Sequence, residues 1–176
     1  KAMHLLDENS KIVETARKEF STLYDALGHG LLGHGKDAEA LKCLQRALTL
    51  DPQNAKAFIH RGLYFYRNGN SPQAIEQYDL ALSIDPGNKA ALANKGTALE
   101  SMNNMIDAIA VYNKILVIDE LSLEIYDRIL TLSPRDPKVH NRKGIALTKL
   151  NKYDEAAASF QQALTLDSSF IDAWVN

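Results

Sequence analysis

The sequence of 176 residues holds one cysteine, one tryptophan and five prolines. No uninterrupted apolar run approaches the roughly 20 residues that a membrane-spanning helix needs. Each scarcity removes a class of protein. The lone Cys43 has no partner for an internal disulfide, which sets aside a disulfide-stapled scaffold and favours a reducing compartment, so a cytoplasmic location is expected. The opening residues Lys1, Ala2, Met3 and His4 are not followed by the long apolar stretch of a secretion signal, and the chain reads as soluble. Charge of one sign is also missing. Twenty basic side chains against twenty-two acidic give a formal charge of −2, so no global field draws the protein to nucleic acid or to an anionic membrane, and neither is expected as a partner.

Glycine is sparse as well, but it is placed. Gly28, Gly62, Gly96 and Gly144 are each followed twelve residues later by an alanine: Ala40, Ala74, Ala108 and Ala156. The first three glycines are 34 residues apart, and Pro52 to Pro86 repeats that interval. A fixed period of this length marks an array of helical repeats, in which neighbouring units bury a shared core.

Residues 55–88 show the physics of one unit. Phe58, Gly62 and Phe65 fall on one face of a first helix, and Ala74, Tyr78 and Ala81 on one face of a second. Between them Gly69 supplies a left-handed stop, Ser71 a capping hydroxyl and Pro72 a first-turn residue whose missing N–H is dispensable. Small residues at Gly62 and Ala74 let the two helices approach. Asp85 and Pro86 end the second helix, and Asn88 or Lys89 opens the next unit. Residues 21–54 carry the same columns as Tyr24, Leu27, Gly28, Leu31, Ala40, Leu44, Ala47 and Pro52; residues 89–122 as Leu92, Gly96, Leu99, Ala108, Tyr112 and Ile115; residues 137–170 as His140, Gly144, Leu147, Ala156, Phe160 and Ala163.

Over residues 21–176 this pattern resembles the tetratricopeptide repeat, whose aromatic, Leu-Gly, aromatic, Ala, aromatic, Ala and Pro columns match these residues one by one. The resemblance implies an all-α fold, a right-handed α-solenoid of antiparallel helix pairs, with a concave groove that binds other proteins. Two columns depart from the family. Arg61, Lys95 and Lys143 stand where leucine is usual, and Glu120 and Ser168 replace the terminal proline.

The rhythm breaks once. Pro134 follows Glu120 by 14 residues instead of 34, and residues 123–136 supply only a second helix, with Ser122, Tyr126 and Ile129 in its columns. Either a first helix was deleted, leaving a half-repeat, or about 20 residues are missing near 119–122; the omission is favoured because two successive second helices leave an apolar face without its antiparallel partner. Residues 1–20 read as an N-terminal helical extension or the tail of a preceding repeat. Residues 171–176, with Trp174, read as the start of a further helix, so the chain has the look of a piece of a longer array.

Several chemical motifs fail on inspection. Residues 30–36, Gly-Leu-Leu-Gly-His-Gly-Lys, satisfy the front half of a phosphate-binding loop, but Asp37 stands where a magnesium-binding hydroxyl belongs, and Gly35 shares a turn column with Gly69, Asn103 and Asn151. His29 and His34 lack companions at metal-ligand spacing and are expected to be solvated; no metal and no cofactor are expected. No nucleophile stands with a base and an orienting group, so no enzyme is expected.

In the first helix of each unit a second stripe runs beside the packing stripe. Family resemblance makes it the lining of the groove. It holds Thr22, Asp25, Ala26, His29, Leu32 and Gly33, then Lys56, Ile59, His60, Leu63, Tyr66 and Arg67. The third unit adds Ala90, Ala93, Asn94, Thr97, Glu100 and Ser101, and the last adds Lys138, Asn141, Arg142, Ile145, Thr148 and Lys149. Five basic residues against two acidic ones on these columns suggest an extended acidic peptide as ligand. Lys56, His60, Leu63, Tyr66, Arg67, Asn94, Lys138, Asn141, Arg142 and Lys149 are the candidate contacts. One subset of the family clamps a terminal carboxylate; Asn94, Lys138 and Arg142 resemble its later members, but Ile59 and Leu63 occupy the positions that need lysine and asparagine. The expectation is a non-catalytic protein-interaction module. Alternatives are a scaffold that self-assembles through the ends of the array, as a homo-oligomer, and an accessory domain of a larger enzyme or regulatory protein.

Overall fold

The computed structural model describes residues 2–168, with side chains from residue 9 onward. These residues form α1 (Ala2–Gly33), α2 (Asp37–Leu50), α3 (Ala55–Arg67), α4 (Ser71–Ile84), α5 (Lys89–Ser101), α6 (Met105–Ile118), α7 (Leu123–Leu132), α8 (Pro137–Lys149) and α9 (Tyr153–Leu166). The expected further helix at 171–176, Trp174 included, lies outside the described residues.

One backbone step makes each turn within a unit. Gly35 and Gly69 take φ of +72° and +76°, and Asn103 and Asn151 take 59° and 60°, so all four members of the turn column are left-handed. Glycine enters that region without steric penalty, and asparagine tolerates it better than most residues. The cap that follows is not the hydroxyl of Ser71. Asn70 is the N-cap of α4, accepting from the Gln73 amide at 3.2 Å, because the left-handed residue turns the chain one position earlier than the proline suggested. Ser71 Oγ instead pairs at 2.7 Å with Ser101 Oγ, which donates to the Ala98 carbonyl. Asn54, Asn88, Asn104 and Asp136 cap α3, α5, α6 and α8 in the same way as Asn70.

The ends of the second helices explain why the missing prolines do no harm. Asp51, Asp85, Asp119 and Asp167 are the C-caps of α2, α4, α6 and α9, each with φ between −129° and −145° and its amide bonded to the carbonyl four residues back. Units ending in Glu120 and Ser168 therefore stop in the same column as those ending in proline.

The chain divides into two compact units, Lys1–Asn103 and Asn104–Asn176. In the first, α1 packs on α2 and α3 on α4, with α5 laid against α3 and α4. Leu32, Ala40 and Leu44 form one buried cluster, and Ile59, Ala74, Tyr78, Ala81, Ala91 and Ala98 another. Ser21, fully buried, donates to the Ala47 carbonyl at 2.9 Å and accepts from Asn54 Nδ2 at 2.8 Å, tying α1, the end of α2 and the cap of α3 together. In the second unit α8 pairs with α9 around Leu147, Ala156, Phe160 and Ala163, and α7 lies against both α6 and α8.

The glycine column has a sharper purpose than close approach of backbones. A β-carbon at Gly62 would stand 2.4 Å from the Tyr78 ring, and one at Gly144 2.5 Å from the Phe160 ring. The aromatic of the second helix lies over the bare backbone of the first. Between α1 and α2 Leu44 takes the ring's place, 2.8 Å from where a Gly28 β-carbon would be.

Lysine in the leucine column also has a structural reason. Lys95 reaches Asp79 on α4 and Lys143 reaches Asp127 on α7, each at 2.5 Å. Both tie a first helix to the second helix before it, with the carboxylates largely exposed, so each pair fixes register more than it adds stability. Arg61 differs: its Nε donates to Gln77 on its own partner helix, and its guanidinium lies over Phe58. The matched pairs show that α7 stands to α8 as α4 stands to α5. Residues 119–122 join α6 to α7, so two second-type helices follow each other. At the other end, residues 2–20 continue α1 without a break at Phe20, the column where Asn54, Asn88 and Asp136 cap the other first helices.

Two outcomes follow from this packing. Gly62→Ala should destabilise the fold by about 1–2 kcal/mol in urea unfolding, overpacking against the ring outweighing a helix-propensity gain of about 1 kcal/mol. Gly30→Ala, in the last turn of α1 with nothing within 4 Å, should gain up to about 0.5 kcal/mol. Burial also raises the Tyr78 phenol above its ordinary value, so the neutral ring is favoured in the fold. That contribution is complete below pH of about 10 and is lost as pH rises past it; Tyr78→Phe should make the alkaline fall in stability shallower.

Candidate functional site

In the first unit α1, α3 and α5 lie side by side, and the groove columns of α1 and α3 meet. Asp25, only 4% exposed, accepts a 2.6 Å hydrogen bond from His60 Nδ1. The His60 ring is stacked on His29, with centroids 4.1 Å apart and planes 8° from parallel. His29 is thus exposed and also fixed in place. This cluster escaped the sequence reading, although its signal was present: Asp25 and His60 occupy adjacent groove columns of successive units.

The other candidates divide by what already holds them. Arg67 donates to the Leu32 carbonyl in the last turn of α1, where a cation also suits the helix dipole. Leu63 packs on the Leu32, Ala40 and Leu44 cluster, and Tyr66 on the cluster around Ile59 and Tyr78. These three serve the fold as much as the face. Lys56 is exposed, and Asn94 is half-buried with its amide unpartnered among the described residues.

In the second unit Lys138, Arg142 and Lys149 fall along one face of α8, with Ile145 between them. Asn141 does not join them: it is buried, and its Oδ1 has no partner among the described residues. Arg142 Nη1 donates to Asn113 Oδ1 at 3.1 Å, and the guanidinium lies 5.7 Å from the Tyr126 ring centroid. Both neighbours are neutral. Burial pushes the Tyr126 phenol upward while Arg142 opposes that shift. Lys149 Nζ is bonded to Glu120 Oε1 at 2.7 Å, both side chains being about half exposed. Arg142, Ile145, Ala146 and Lys149 border a pocket of about 560 Å³ with Tyr126, Glu120 and the apolar end of α6, Leu116, Val117 and Ile118. The pocket lies where α7 follows α6 directly, and no column of the sequence pattern foretold it.

The phosphate-loop motif dissolves in the structure. The amides of His34, Gly35 and Lys36 donate to the carbonyls of Leu31 and Leu32, so they finish α1 instead of pointing at an anion. Among the described residues no group of three or more His, Cys, Asp or Glu side chains could hold a metal, and no helix is long and apolar enough to cross a membrane.

Models of the tetratricopeptide repeat match residues 26–89 and 137–170. The chain belongs to the tetratricopeptide repeat family. No curated protein matches it over its sequence. Among solved structures, the first tetratricopeptide domain of Spaghetti (RPAP3), bound to the HSP90 peptide SRMEEVD, is similar at a TM-score of 0.63 and 19% identity, over 66% of this chain and 95% of that one. PilF of Pseudomonas aeruginosa is similar at 0.58 and 22%, over 89% and 87% of the two chains. YrrB, described as a tetratricopeptide protein with an unusual peptide-binding site, is similar at 0.55 and 16%, over 94% and 95%. At these identities the likeness establishes the fold, an all-α solenoid of helix pairs. Repeats of this family are in general protein-interaction modules.

Removing one member of the buried pair tests how firmly the first unit's face is built. His60→Ala leaves the Asp25 carboxylate buried without its donor and should cost about 1–3 kcal/mol in denaturant unfolding. Adding Asp25→Asn should return part of that loss.

Proposed function

We propose that the chain is a non-catalytic interaction module that binds an extended acidic peptide, with the cationic face of α8 as a principal contact. The observation that carries this reading is Arg142. Its guanidinium sits at the mouth of the pocket held by an amide and a ring, with no carboxylate pairing to it among the described residues. A carboxylate from outside would complete a charge-assisted pair there, while Val117, Ile118 and Ile145 offer apolar contact beside it. Lys138, exposed and with its ammonium group unpaired among the described residues, extends the same face. The Spaghetti domain is bound to SRMEEVD, a peptide with two glutamates and an aspartate, and YrrB is described as peptide-binding, which supports the class of ligand.

Titration calorimetry with acidic peptides and their amide isosteres tests the reading. Acidic peptides should bind and the isosteres should bind at least tenfold more weakly; equal affinity would sink the proposal. Arg142→Gln should weaken acidic peptides about tenfold. Glu120→Gln releases Lys149 from its exposed partner and should strengthen them a few-fold, an effect that fades at high salt.

A further inference from the structure

In α5 and α8 the face turned to the preceding second helix is covered. Ala91 is fully buried in the cluster that holds Tyr78 and Ala81 of α4, and Lys95 and Lys143 bond to carboxylates of α4 and α7. Ala57 and Val139, in the column of Ala91, are 0% and 6% exposed. The same two columns in α1 hold Leu23 and Leu27, which are 63% and 52% exposed. Among the described residues no second helix folds back onto them: α1 runs straight through Phe20, where the other first helices are capped.

The bare face continues along the extension. Ile12, Ala16, Phe20, Leu23 and Leu27 follow one another at spacings of four, four, three and four, a single stripe about 22 Å long. Ile12 and Phe20 are more than half exposed. Glu19 borders the stripe beside Ala16 and Leu23, and Arg17 borders the opposite edge beside Val13 and Phe20. Neither charge has a partner among the described residues, whereas nearby Glu14 and Lys18 satisfy each other at 2.8 Å.

We infer that this stripe pairs with the same stripe of a second copy of the chain, the two α1 helices running in the same direction. A two-fold axis along the paired helices buries stripe on stripe and sets Arg17 of each copy beside Glu19 of the other. The opposite, antiparallel pairing faces Glu19 with Glu19 and is disfavoured.

Sedimentation equilibrium of the full chain between about 1 and 100 µM tests this. The chain should be dimeric at the upper end, and Leu23→Glu should raise the dissociation constant at least a hundredfold with an unchanged helical circular dichroism signal. Glu19→Arg should weaken the dimer about fivefold, and Arg17→Glu added to it should restore the original constant. A monomer at 100 µM overturns the proposal and leaves the stripe to another segment or partner. A dimer indifferent to Leu23→Glu, or one that the double charge swap weakens further, overturns it as well.

Discussion

A ring lying on bare backbone governs this molecule. Where Tyr78 covers Gly62 and Phe160 covers Gly144, the side chain of one helix fills the place of a β-carbon on the other, so neither helix can rotate or slide without a clash or a void. That lock fixes which face of each first helix is left over. The groove columns are open because the packing columns are closed, and the positions of Lys56, His60 and Arg142 follow from glycine residues that touch none of them.

Repetition of the lock explains why much of the fold could be read from residue spacing. Turn, helix and core columns each recur, and a left-handed residue at Gly35, Gly69, Asn103 and Asn151 is a local property that sequence carries directly. What spacing does not carry is a side chain's choice between neighbours. Arg67 and Arg142 occupy equivalent kinds of position, yet one is committed to a backbone carbonyl and the other to an amide and a ring. Asn141 sits in a groove column and is buried, because that column also carries Ile59, a core residue. The Ser71 cap and the lysine column were misjudged or unexplained for the same reason: a competing partner, Asn70 in one case and a carboxylate sixteen residues back in the other, decides the outcome.

The irregular point of the array is also its most distinctive surface. With α7 following α6 directly, the end of α6 exposes Val117 and Ile118 at 84% and 49%, next to the cations of α8. A regular succession of units would bring a first helix into this part of the chain. Apolar contact and a guanidinium without a carboxylate partner among the described residues therefore meet where α7 follows α6, an arrangement that the regular columns of the pattern do not contain.

The two faces of α1 bear on how the proposed functions combine. Residues two apart on a helix point about 200° from each other, so Asp25, which meets His60, looks away from Leu23 and Leu27. A dimer built on the stripe would leave the His29 and His60 face of its own unit uncovered and would carry two copies of the proposed peptide-binding face. Two weak peptide contacts held together raise the effective concentration of the second site into the millimolar range when the spacing suits the ligand. Self-pairing through α1 would then strengthen binding to a partner with repeated acidic segments without adding a contact to either groove, and it would leave the affinity for a single short peptide unchanged.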